Sequence, residues 1–271
     1  AVGRLRRLEA HVAHAAGLRG AAQGNAVDPG GPGLERRLVG GEPRVAPFVA
    51  AHCAPQEHKA RELGLHLAGG AVVHLAGNTG GFVGGDHVAA MLSTEPLWSR
   101  PGVTLVMDIG TNTEISLVEQ NGGSRRIVSA SCPSGPALEG GHVACGMRAA
   151  EGAIEGVTID ASGALQLQVI GRGPPVGLCG SGVLDALAAF VRAGWVDARG
   201  RIAHGVPGAC VVDAVRAITL ADETAEIPAV RFTQRDVRAV QLAKSAIRTG
   251  VALLAAEIGA SEADIDRFVI A

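Results

Sequence analysis

The sequence has no tyrosine, and its only lysines are Lys59 and Lys244. Arginine carries nearly all the positive charge, and with the abundant alanine this reads as genome composition rather than chemistry. No basic run exceeds a short arginine pair, and the formal net charge is −2. That balance argues against a nucleic-acid partner and against electrostatic binding to a membrane surface. No apolar stretch reaches the ~18 residues that a membrane helix needs. Paired cysteines are missing too: Cys53, Cys132, Cys145, Cys179 and Cys210 make five, and no two form C-x-x-C. A disulfide framework, or a zinc or iron–sulfur site built by this chain alone, is therefore not expected, whereas a reducing, cytoplasmic compartment is. No secretory leader is expected either. The chain opens on Ala1 and stops at Ala271 just after an apolar run, so both ends read as cut.

What is present points to a folded α/β chain. Apolar residues make up 47% and charged residues 18%, enough to fill a core. The 271 residues allow one large domain or two small ones. Glycine is in excess, with 39 residues gathered in short loops between apolar runs. Such loops turn tightly or approach a ligand closely. There is no internal repeat.

Leu5, Leu8, Val12 and Ala15 have near-helical spacing, and the run Asp28–Gly33 breaks any regular element, so residues 1–42 read as a helix and linker. A short helix is expected over Gln56–Leu63 and a strand over Ala71–Leu75. After the glycine-rich run 80–85 comes a helix from Asp86 to Leu92, with Asp86 as its cap and His87 on the surface. Val103–Ile109, Glu114–Val118 and Arg125–Ser131 predict a three-stranded antiparallel meander turning at Asn121-Gly122-Gly123. Gly156–Asp160 and Ala164–Ile170 predict a second hairpin. The loop Gly177–Gly182 leads into a helix whose apolar face is Val183, Leu184, Leu187, Phe190 and Val191, ending near Gly194. Thr233 and Asp236 resemble a capping box opening a long helix with Val237, Val240, Ile247, Val251 and Leu254 as its stripe. A final strand is expected over Asp266–Ala271.

Three loops carry chemistry. In Asp108–Glu114 a buried strand delivers Asp108 to a tight turn. Backbone amides of Gly110 and Thr111 and the side chains of Thr111 and Asn112 can meet phosphate oxygens there. Asp108 would hold a hydrated Mg²⁺, which takes few carboxylates and keeps its waters. Gly177–Gly182 can present amides at a helix N-terminus, though tight packing explains its glycines equally well. Glu139, in Ser134–Gly141, is a candidate to orient water or metal, against a plain capping role. Cys179 is read as a small buried residue rather than a reactive thiol. His52 and His58 flank Cys53 without ligand spacing. No G-x-x-x-x-G-K-[ST] occurs, so a P-loop is excluded.

V-M-D-I-G-T-N-T-E (106–114) resembles the first phosphate loop of the acetate kinase/sugar kinase/Hsp70/actin superfamily. With it, in order, stand G-F-V-G-G-D-H-V-A (81–89), S-G-P-A-L-E-G-G (134–141), G-M-R-A (146–149), G-L-C-G-S-G-V-L-D-A (177–186) and F-T-Q-R-D-V-R-A-V-Q-L-A-K-S-A-I-R-T-G (232–250). Together they are similar to the C-terminal ATPase domain of the reductive activators of corrinoid proteins, over residues 43–271. The resemblance implies an actin-like, ribonuclease H-like α/β fold with mixed sheets, incomplete at both ends. It implies an ATP-dependent activase that returns the cobalt of a corrinoid methyl carrier from Co(II) to Co(I), with ATP and Mg²⁺ as cofactors. ATP is then expected between two lobes. Asp108 would organise Mg²⁺, and Gly110, Thr111 and Asn112 would hold phosphates. Glu114 matches a family glutamate of unassigned role. Gly180, Ser181 and Gly182 would form a second phosphate loop, and Glu139 would act on water or metal.

The electron would come from a [2Fe–2S] ferredoxin-like domain that these residues do not contain. The family's upstream module with its own D-I-G-T turn is also missing, and the chain stops at F-V-I-A where the family continues into an adenosine-contacting loop. Gly85 and Thr113 stand where many relatives have Ala and Gly. Two other readings remain open: a small-molecule kinase of the same superfamily, and a non-catalytic fragment for dimerisation or docking. A homodimer is likewise open.

Overall fold

The computed structural model describes residues 9–12, 53–80 and 82–271. In chain order the strands and helices are β1 (Glu9–Val12), β2 (Gln56–Lys59), β3 (Val72–Leu75), α1 (Gly85–Ser93), α2 (Glu95–Trp98), β4 (Gly102–Ile109), β5 (Thr113–Asn121) and β6 (Ser124–Cys132). There follow β7 (Ala153–Ile159), β8 (Leu165–Val169), β9 (Gly177–Leu178), α3 (Gly180–Arg192), β10 (Ala209–Val212), β11 (Val215–Ala221), β12 (Val230–Thr233), α4 (Gln234–Glu257) and β13 (Ile265–Ile270). Short 3-10 turns occupy Ala60–Leu63, Pro136–Glu139 and Glu262–Asp264.

The chain divides into two compact units. The first takes residues up to Ile109, Glu114–Ser131 and Gly250–Ala271. Its main sheet has the order β1-β13-β4-β5-β6, with β13 parallel to both β1 and β4. Connections of a few residues between β4, β5 and β6 permit only antiparallel pairing there, so the sheet is mixed. The expected meander is therefore three strands of a five-stranded sheet. β4 and β5 are buried on both faces: Leu105, Val106, Ile115, Leu117 and Val118 are fully covered. Apolar runs of this kind suit strands covered on both sides. Trp98, Val106, Val118 and Val269 pack together as its core.

The second unit takes Gly110–Thr113 and Cys132–Thr249. It contains the sheets β8-β7-β9 and β10-β11-β12. Phe190 stacks on Trp195 and meets Phe232 edge-on, in a core that includes Ile154, Leu178, Val183, Val237 and Val240.

Several expectations need correction. Val12, placed in a helix, lies in β1, because main-chain pairing with β13 outweighs local spacing. The rest of that expected helix, the break at 28–33 and His52 lie outside the described residues. Gln56–Leu63 is half strand and half 3-10 turn, since β2 pairs with β3. Gly84, not Asp86, occupies the N-cap of α1, and Asp86 sits in the first turn, accepting the His87 amide at 2.9 Å. His87 is buried rather than superficial. Gly180–Gly182 is not a loop but the first turn of α3. The buried face of α3 is Gly182, Val183, Ala186, Ala189 and Phe190, while Leu184 and Val191 are exposed.

Candidate functional site

In the second unit the turn after β4 is closed by its own hydrogen bonds. The Gly110 amide donates to the Asn112 carbonyl at 3.0 Å. Ser134 Oγ donates to the Gly110 and Thr111 carbonyls at 3.2 and 3.3 Å, and lies 2.8 Å from Thr113 Oγ1. The turn is thus held from below by a buried serine, while Thr111 and Asn112 face solvent. The Gly110 amide is spent inside the turn, leaving the Thr111 and Asn112 groups to meet a ligand.

Thr111 Oγ1 donates to Glu139 Oε2 at 2.6 Å. Glu139 ends the 3-10 turn Pro136–Glu139, which Gly140 terminates in left-handed conformation at φ 82°. That turn abuts the start of α3: a Cβ on Gly180 would collide with the Leu138 carbonyl, and its next neighbour would be the Glu139 Cα. A Cβ on Gly182 would collide with the Ile154 carbonyl of β7. Close packing therefore accounts for both glycines. The amides are a separate matter. Cys179 caps α3 without a side-chain hydrogen bond. Val183 N–H returns to the Cys179 carbonyl, which leaves the Gly180, Ser181 and Gly182 amides as the unpaired first-turn donors of a helix. Such amides, with the helix dipole behind them, attract anions. So Thr111, Glu139 and the head of α3, separated in sequence, form one polar cluster. Cys179 itself is buried, its Sγ directed at the Ile154 carbonyl.

The first unit gathers carboxylates. Asp108 is pushed above the usual carboxylate range by burial and by the Asp86 charge. Glu114 is raised mainly by burial, partly offset by the hydrogen bond it accepts from Ser131 Oγ at 2.9 Å, and raised further by Asp86 and Asp108. Beside them His87 Nε2 lies 2.7 Å from Ser116 Oγ, which lies 2.7 Å from Ser129 Oγ. Burial holds His87 below its ordinary value, so the ring is neutral at physiological pH, and its buried Nδ1 has no partner. Sequence reading missed Asp86 as a member of this carboxylate group, although it sits in the 81–89 motif. The serines had a fainter signal, since Glu114 and Ser116 alternate with the apolar Ile115 and Leu117.

Among the described residues no group of three or more His, Cys, Asp or Glu is placed to hold a metal. A cation at Asp108 would draw most of its ligands from water and from phosphate, which is the habit of Mg²⁺. Among the same residues no helix is long and apolar enough to cross a membrane. No disulfide joins the five cysteines.

Comparison with known proteins adds the following. The family described as "C-terminal domain of RACo the ASKHA domain" matches residues 102–271, and "RACo middle region" matches residues 40–96. The corrinoid activation enzyme RamQ of Eubacterium limosum is 39% identical over 203 residues, covering 71% of this chain and 33% of that protein. A [Co(II) methylated amine-specific corrinoid protein] reductase of Methanosarcina barkeri is 28% identical over 206 residues, covering 68% and 34%. A solved structure titled reductive activator for corrinoid, iron–sulfur protein superposes with a TM-score of 0.72 at 33% identity, covering 84% of this chain and 36% of that one. The chain thus spans about a third of the length of these relatives. The actin-like α/β fold expected from the motifs agrees with this match.

Proposed function

Because the chain belongs to the RACo family of reductive activators of corrinoid proteins, we propose that it is the ATP-binding part of such an activator, which returns a corrinoid methyl carrier from Co(II) to Co(I). The working segment is residues 43–271. The electron would come from an iron–sulfur domain outside these 271 residues. Five cysteines without a disulfide support a reducing, cytoplasmic setting.

The observation that supports nucleotide binding best is the cluster of Thr111, Glu139 and the unpaired amides of α3. In this reading Thr111 and Asn112 hold phosphate oxygens with the Gly110 turn, and Gly180, Ser181 and Gly182 offer amides to a second set. Asp108 would hold a hydrated Mg²⁺, and Glu114 would add negative charge beside it. Bound Mg-ATP would supply the free energy of binding and of phosphoanhydride cleavage. The Thr111 hydroxyl has one proton to donate, and it now goes to Glu139. A phosphate oxygen competing for that proton releases Glu139 Oε2 to accept one from water. Hydrogen bonds made in one state and lost in another are the differential affinity through which a ligand drives an unfavourable step.

Calorimetric titration of Mg-ATP into the chain and into Thr111→Ala tests this. Loss of a hydrogen bond to a charged group predicts about tenfold weaker binding in the variant, with circular dichroism unchanged. Identical affinity in both proteins removes the loop from the site.

A further inference from the structure

A cleft of about 570 Å³ in the second unit contains none of the loop residues above. It is lined by Arg201, Ala214, Val215, Arg216, Gln234, Arg235 and Arg238. Its volume falls within the range of ligand clefts, ~300–1,000 Å³. Four of the seven lining residues are arginines and none is acidic. Among the described residues, no carboxylate lies within ion-pair distance of any of the four. The exposed Asp197 accepts the amides of Arg199 and Arg201 on its Oδ1 at 2.8 Å each, and its carboxylate also feels the Arg201 charge.

The walls are fixed. Arg216 donates to the Ile202 carbonyl at 2.9 Å and to His204 Nε2 at 2.6 Å. Gln234 ties the head of α4 to the distant turn that follows α3, donating to the Gly200 carbonyl at 2.6 Å and accepting the Ile202 amide at 2.9 Å. Asp213 and Ala214 form the left-handed turn of the β10–β11 hairpin, at φ 48° and 61°. Arg235 and Arg238, one helical turn apart, are exposed. Asp197 offsets part of the Arg201 charge; the rest of the gathered like charge raises the energy of the empty protein, and a ligand of opposite sign recovers it.

The kind of anion follows from what else is there. No glycine turn lines the cleft, and the Asp236 amide at the head of α4 is taken by Thr233 Oγ1 at 3.2 Å. Recognition therefore falls to guanidinium forks beside the apolar surface of Ala214 and Val215. Carboxylates on hydrocarbon stems match both features, the forks by bidentate pairing and the apolar wall by their methylenes.

We propose that this arginine-lined cleft is a docking surface for an acidic segment of a partner protein and engages several carboxylates at once. It makes no use of the phosphate loop, so it stands or falls apart from nucleotide binding.

The test is fluorescence anisotropy of a fluorescein-labelled hexaglutamate peptide titrated with the whole chain at low ionic strength. Saturable binding is expected, weakened about tenfold or more by Arg235→Glu with Arg238→Glu. The same charge change at two arginines that do not line the cleft, Arg172→Glu with Arg192→Glu, is expected to weaken it far less. Should the reversed pair lose its native circular dichroism, Arg235→Gln with Arg238→Gln carries the comparison. Inorganic tripolyphosphate is expected to compete poorly. Absence of peptide binding, equal weakening by both charge-reversed pairs, or displacement of the bound peptide by tripolyphosphate at a lower concentration than by unlabelled hexaglutamate overturns the proposal.

Discussion

Asp108 ends a buried strand, where burial and the Asp86 carboxylate both oppose its ionisation. A carboxyl whose folded value is raised holds its proton more firmly folded than unfolded. Its contribution to stability is complete below the unfolded value and is lost as pH rises through the folded one. At neutral pH its charge therefore weighs against the empty fold, and a bound cation would offset that. Asp108→Asn keeps the shape and removes the charge. The variant is expected to melt a few degrees higher than the parent at about pH 7.5, with the difference vanishing near pH 4. It is also expected to lose most of the rise in Tm that Mg-ATP gives the parent. Thermal unfolding with and without Mg-ATP across that pH range checks both parts. A lower Tm for the variant at neutral pH contradicts the burial argument.

Asp236 shows what one residue does for an element. It is buried at the head of α4, with Oδ2 accepting the Thr233 amide at 2.7 Å and Oδ1 the Ala144 amide at 2.9 Å. The first bond closes the capping box and the second fixes a distant loop. Asp236→Ala leaves two amides without their acceptor, at about 1–3 kcal/mol each. A loss of about 3 kcal/mol in urea unfolding is expected, and a smaller one for Asp236→Asn, which keeps one acceptor. The capping box was legible because it spans four residues, as were β4, from its apolar run, and the Gly122-Gly123 turn. The Ala144 bond was not, since it joins residues 92 apart. The face of α3 was misread for a related reason. It buries Gly182, Ala186 and Ala189, small residues that let the helix approach β7, while the bulkier Leu184 and Val191 stay outside. A reading by hydrophobicity found the bulky Val183 and Phe190 of that face but passed over the small residues that pack between them. At the candidate site the three glycine-bearing motifs were legible singly. The Thr111–Glu139 bond, the serine beneath the turn and the burial of His87 arise only from tertiary pairing.

The two units have separate cores, and each contains one of the two tryptophans, Trp98 in the first and Trp195 in the second. Two cores need not melt as one, so a single unfolding free energy is an assumption to be tested. The first unit is assembled from distant segments, and β13 lies between β1 and β4, pairing with both. The last strand in the chain is therefore central in its sheet, and its Val269 is fully buried in the core around Trp98. Removing Ile265–Ala271 takes from β4 a parallel neighbour and from β1 the strand it pairs with. None of the removed residues belongs to the core around Phe190 and Phe232. Single-tryptophan versions, Trp195→Phe and Trp98→Phe, separate the two responses. In the truncated chain Trp98 emission is expected to shift to that of the unfolded protein, while Trp195 emission stays native. Simultaneous loss of both signals would mean that the second core depends on the first, and native emission from Trp98 would mean that β13 is dispensable to the sheet it occupies.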